Sequence, residues 1–259
     1  MISLNIPLLQ IQLFFLAFLR IGAIIMSMPV FDSESIPVLF KLALSFATTI
    51  VLFPILKLNP EPVTANLATF GLGVAGEIFI GIVIGFAVRL IFAGIQLAGL
   101  LAGYQMGLAI ANVMDPATSE QIPLLAQFNH LVALLIFITI NAHYWFIRAL
   151  AESFRIVPPL NVHLGNSLME QLTHLAGNMF LIAIQVGAPV IAALLIASVS
   201  FGLIARTVPQ MNVFVVAIPL NIGVGLLFFG FSLPYFSAFL KKIFSELGQN
   251  VLLLLRAMS

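Results

Sequence analysis

LATFGLGVAGEIFIGIVIGFAVRLIFAGIQLAGLLAG, residues 67–103, decides the fold class. It is 37 residues long, and its only charges are Glu77 and Arg89. As one helix it would be ~55 Å long, nearly twice a hydrocarbon core of ~30 Å. Such a helix is strongly tilted, broken at a glycine, or projects beyond the bilayer. Glu77, Gly81, Gly85, Arg89 and Ala93 recur every four residues, so they form one slowly winding stripe. Gly81 with Gly85, and Gly99 with Gly103, place small residues one turn apart, which lets two membrane helices approach closely. The run is therefore a packing platform. Glu77 and Arg89 lie ~18 Å apart along it, too far to pair. Each needs a partner elsewhere, either a polar group of the same chain or another subunit.

The rest of the chain agrees with a membrane setting. Of 259 residues, 62% are hydrophobic and only 7% are charged, where a soluble domain carries about a quarter charged. The expected class is a polytopic all-α membrane protein forming a single membrane-embedded unit over 1–259. With no cysteine, disulfides, thiolate metal sites and cysteine nucleophiles are excluded. A net charge of +1 gives no reason to expect nucleic-acid binding. The N-terminus lacks a basic n-region and a small-residue cleavage site, so no cleavable signal peptide is expected.

Beyond Gly103 the character changes. Tyr104–Pro123, YQMGLAIANVMDPATSEQIP, is too polar to span a bilayer and too apolar for an ordinary surface loop. Asp115-Pro116 breaks it, because proline lacks a backbone donor and biases the preceding residue away from helix. Irregular backbone at membrane depth is tolerated where protein buries it or where it lines a water-filled cavity. Two readings stay open: a loop packed on its own protein, or a constriction inside a conduit.

Five other apolar runs complete six expected spans. Leu8–Val30 holds Arg20 near its middle, where a charge facing lipid costs ~3 kcal/mol, so Arg20 faces protein or water. Ile36–Leu56 carries Lys41 and Pro54, and Asn59-Pro60-Glu61-Pro62 turns the chain. Leu124–Phe146 contains Asn129-His130 and ends at His143-Tyr144-Trp145, an interfacial aromatic belt. Arg148–Gln171 is the longest polar segment, broken at Pro158-Pro159. Leu172–Ile204 leads into GLIARTVPQMNVFVVAIPLNIGVG, residues 202–225, a helical hairpin whose tip carries Arg206, Pro209, Gln210 and Asn212. Val213–Leu240 is the last span, and 241–259 reads as an interfacial tail. Basic residues gather in alternate loops, which places both termini in the cytoplasm and the central loop on the far side.

Catalytic patterns are absent. None of the four histidines has HExxH spacing, no glycine-rich loop ends in Lys-Ser/Thr, and no nucleophile has a base in motif spacing. Neither an enzyme nor a cofactor is expected.

Two stretches carry a resemblance: MGLAIANVMDP in the central loop and ARTVPQMNVF in the hairpin. Together with length and span order they resemble the FliR/SctT family of type III secretion export apparatus proteins, over essentially the whole chain. The flagellar branch is favoured. The resemblance implies a core subunit of an export gate in the bacterial inner membrane. It assembles with FliP and FliQ, beside FlhB and FlhA, and passes unfolded flagellar subunits. It implies long, kinked, partly broken helices in a helical multi-subunit assembly displaced towards the periplasm. A FliP-like part covers about 1–200, and a FliQ-like hairpin about 172–240. The central loop, about Met106–Ile122, then acts as a pore plug. Met106, Leu108, Ile110, Val113 and Met114 are suited to close it, since flexible and aliphatic side chains exclude ions and re-pack around varied polypeptides, and Asp115-Pro116 is its hinge. Arg20, Glu77, Gly81, Gly85, Arg89, Arg206, Pro209, Gln210 and Asn212 are the candidates for packing or polar contact between subunits. The rival from another class is a proton-coupled secondary transporter of a small solute, with Glu77, Arg89 and His130 as its site.

Overall fold

The computed structural model describes residues 8–31, 36–56, 67–108, 123–162, 165–207 and 213–259. These form seven α-helices: α1 (Leu8–Ser27), α2 (Val38–Leu56), α3 (Leu67–Met106), α4 (Leu124–Thr139), α5 (Ala142–Ile156), α6 (Asn166–Thr207) and α7 (Val213–Met258). A short 3-10 turn, Pro29–Phe31, follows α1. Five helices are long and apolar enough to cross a membrane, and α4 with α5 make a sixth if taken as one bent span. The chain is an all-α membrane protein.

Of the three forms open to residues 67–103, the one broken at a glycine is not adopted: the run is a single helix. α3 has 40 residues, about 60 Å at the helical rise. It runs to Met106, so the central segment leaves helix at Gly107, not at Tyr104. The fourth span is not the expected straight Leu124–Phe146. α4 and α5 meet at 70°, because Asn141 takes the left-handed conformation at φ 56° and ψ 33°. Asparagine visits that region more readily than other non-glycine residues. Part of the polar segment expected at 148–171 is helical, since α5 continues to Ile156 and α6 starts at Asn166. The tail is no separate element either: α7 runs 46 residues through Pro219 and Pro234 to Met258.

The chain divides into two compact units. Unit 1 comprises residues 1–90, 141–176 and 245–259. Within it α1 and α2 pack through edge-to-face rings, Phe14 on Phe46 at 5.8 Å and on Phe53 at 5.4 Å. After α5 the chain turns at Pro158-Pro159, with the Asn161 amide donating to the Pro158 carbonyl. Leu160 sits in the turn at φ 74°, a position that usually takes glycine. Its side chain packs with Leu13, Leu16, Phe70 and Val74.

Unit 2 comprises residues 91–140 and 177–244. Phe92, Phe137 and Phe244 form a ring cluster with centroids 5.3–5.9 Å apart, joining α3, α4 and α7. Close helix approach is built on glycine: a Cβ on Gly94 would lie 2.6 Å from the Met179 carbonyl oxygen of α6.

Candidate functional site

In unit 1 the glycine stripe of α3 lies along α1. A Cβ on Gly81 would meet the Arg20 carbonyl oxygen at 2.9 Å and the Ile24 nitrogen at 3.1 Å, and one on Gly85 would overlap the Ser27 side chain. Both helices advance together through these contacts, so they run parallel. The close approach brings Glu77 to Arg20. Arg20 donates from Nε to Glu77 Oε2 at 2.5 Å and from Nη2 to Oε1 at 2.9 Å, a bidentate pair with both side chains wholly buried. Its other guanidinium nitrogen donates to the Ser153 and Val157 carbonyls, each at 2.9 Å. These belong to the last turn of α5 and the residue after it, where the helix dipole is negative; the Ser153 carbonyl also accepts from the Val157 amide at 2.9 Å. The Phe154 ring lies 4.2 Å from the guanidinium carbon, within cation–π range. One arginine thus joins α1, α3 and α5. Glu77 finds its partner inside the chain rather than in a sister subunit. Arg89, at the far end of the stripe, donates to the Ser27 carbonyl at 3.1 Å.

The second constellation lies in unit 2, where the central loop begins and ends. Met106, the last residue of α3, is wholly buried with Ala102, Leu125, Val190 and Leu194. Gly107 follows at φ 84°, accessible to glycine without steric cost. Its amide donates to the Tyr104 carbonyl, and the Leu108 amide to the Gly103 carbonyl, both at 3.1 Å. This is a Schellman stop, and its usual apolar contact is present because Leu108 packs on the same cluster. The loop re-enters through Pro123, and Leu125 on α4 closes the cluster. Gly99 makes that meeting possible: its absent Cβ would lie 2.6 Å from the Leu125 carbonyl oxygen and 2.7 Å from the Ala126 Cα. Gly225 on α7 leaves room for the Met106 thioether, whose sulfur would be 2.8 Å from an added Cβ. Both feet of the loop are therefore fixed in one apolar cluster.

Of the expected closing residues, Met106 is a buried anchor and Leu108 part of the stop. Ile110, Val113, Met114, Asp115 and Pro116 lie outside the described residues, as do Pro209, Gln210 and Asn212 of the hairpin tip. Arg206 is exposed at the end of α6. The groups assigned to a transporter site are not gathered by either unit. Glu77 and Arg89 belong to unit 1, while His130, in unit 2, bonds through Nδ1 to Gln96 Nε2 at 2.9 Å. Among the described residues no cluster of acidic or histidine side chains could hold a metal ion. Sequence reasoning missed Ser153, Phe154, Val157, Val190, Leu194 and Gly225. Only the glycine after Met106, a helix-stop signal, offered a local clue.

A model of the family described as "Bacterial export proteins, family 1" matches residues 11–247. The chain belongs to that family. Similar members are named flagellar biosynthetic protein FliR. The Escherichia coli (strain K12) protein is 34% identical over 92% of this chain and 90% of its own length. That of Bacillus subtilis (strain 168) is 31% identical over 93% and 95%, and that of Pectobacterium carotovorum 34% over 90% and 88%. The family resemblance read from the central loop and the hairpin is thereby established.

Proposed function

We propose that this chain is a core subunit of the flagellar protein export apparatus in the bacterial inner membrane. It builds with FliP and FliQ, beside FlhB and FlhA, a channel for unfolded flagellar subunits. The central loop is the plug of that channel. The observation that supports the plug is the pair of fixed feet, Met106 and Leu125, buried in one cluster against which Leu108 packs. A loop held at both ends can be displaced by passing chain and return to the same place. Met106 serves it as anchor, and the residues beyond Leu108 supply the closing surface.

Assembly is supported by the faces of α6 and α7. Leu195, Ile196, Val199 and Leu203 on α6, and Val215, Leu226 and Phe231 on α7, each expose more than half of their surface. Gly202, Gly223 and Gly230 have open space where a side chain would stand, the small-residue pattern that lets membrane helices close on one another.

Gentle detergent extraction of the tagged chain, followed by native mass spectrometry, tests the reading. A defined complex with two smaller membrane proteins, FliP-like and FliQ-like, is expected. A stable monomer that moves a small solute in liposomes would overturn it. Removing residues 110–121 is expected to preserve the complex and raise ion conductance across the membrane; unchanged conductance would sink the plug.

A further inference from the structure

Unit 1 contains a cleft of about 510 Å³ between α5 and the end of α7, inside the size range of small-ligand sites. Its walls carry three guanidiniums, Arg148, Arg155 and Arg256, against one carboxylate, Glu152. That carboxylate is engaged with Arg155 at 3.6 Å. Arg148 and Arg256 have no ion-pair partner among the described residues. Arg148 lies over the ring of Trp145, 5.9 Å from its centroid. Trp145, Ile156 and Leu252 make part of the lining apolar.

The cleft therefore pairs surplus cationic forks with an apolar floor. Guanidiniums bind phosphate oxygens bidentately, which names an anion bearing phosphate. The surroundings favour one source. Tyr144 on α5 and Leu253 on α7, next in sequence to the lining Trp145 and Leu252, are about half exposed or more, so exposed apolar surface adjoins the charged opening on both helices. A free phosphate would leave that surface uncovered, whereas a lipid would lay its chains on it. Tryptophan and tyrosine beside arginine are also the side chains that settle at the level of lipid headgroups.

We propose that this cleft binds the headgroup of an anionic phospholipid, with Arg148 and Arg256 on the phosphate and Trp145 against the glycerol. The site is independent of the export reading, since it needs only a membrane.

The protein carries its own probe, because Trp145 is its one tryptophan. The full chain in detergent is titrated with short-chain phosphatidylglycerol, with short-chain phosphatidylcholine, and with inorganic phosphate, while Trp145 emission is followed. A saturable change is expected with phosphatidylglycerol alone. Arg148→Gln and Arg256→Gln should each shift its midpoint about fivefold, and together roughly thirtyfold, the weight of one arginine at an anionic surface. Lys41→Gln, which removes equal charge from α2, should leave it in place. Saturation by inorganic phosphate at the same midpoint would make this a soluble-anion site and overturn the lipid assignment. Equal response to the two lipids, or an equal shift with Lys41→Gln, would reduce the effect to unspecific partition and overturn it too. Should the arginine variants fail to fold, the three titrations of the unaltered protein still decide.

Discussion

Arg20 shows how a costly residue becomes a fixed point. A buried ion pair is not in itself a source of stability, since desolvation offsets the attraction, but an orphaned partner is strongly unfavourable. Glu77→Gln or Arg20→Met alone is therefore expected to cost about 3–5 kcal/mol, read as a lower melting temperature in detergent. The double change Arg20→Met with Glu77→Met should recover most of the loss; a double variant as unstable as the singles would show that the guanidinium's bonds to the Ser153 and Val157 carbonyls dominate instead. At the loop foot, Gly225→Ala should press on Met106 and cost about 1–3 kcal/mol, a penalty that Met106→Ala partly relieves. Additive effects of the two changes would mean they do not share one space. Gly107→Ala should cost about 1–2 kcal/mol through its left-handed backbone. The sequence stripe of Glu77, Gly81 and Gly85 was legible because helical spacing is local. Its partner was not, since Arg20 lies 57 residues earlier and nothing in a periodic pattern says which helix will face it.

At the scale of elements, readable signals and silent ones separate by cause. The apolar runs announced the long helices by hydropathy. Pro189, Pro219 and Pro234 stand inside those runs, yet α6 and α7 continue through them. Neighbouring helices and local adjustment re-satisfy the freed carbonyls of membrane helices. The true break, at Asn141, carried no proline or glycine and lay inside an apolar run. It rests on one residue accepting positive φ. Asn141→Gly is accordingly expected to preserve stability, whereas Asn141→Val should lower it by about 1–2 kcal/mol, measured by thermal melting. Equal melting of the valine variant would mean that Asn141 does not set the bend.

At the scale of the whole molecule, composition alone placed the chain in a membrane, but it could not say which apolar surface meets lipid and which meets protein. Phe231, 74% exposed on α7, distinguishes them. Phe231→Ser should leave the isolated chain's melting within about 0.5 kcal/mol, as for other exposed positions, while lowering the amount of co-purified partner. Undiminished co-purification would assign that face to lipid.

The Arg20 junction also sets an order on synthesis. Glu77 is made 57 residues after Arg20, and Ser153 another stretch later, 133 residues after it. At roughly 5–20 residues per second, the ribosome reaches Glu77 about 3–11 s after Arg20. During that interval α1 holds an unneutralised guanidinium near its middle, which costs ~2.5–3.5 kcal/mol against entry into lipid. The first helix is thus a late arrival in the bilayer, waiting at the translocon or its edge until α3 brings the carboxylate. Nascent chains halted after Leu56 should leave α1 poorly inserted by glycosylation mapping. Chains halted well beyond Met106 should insert it, and Glu77→Gln should abolish the difference.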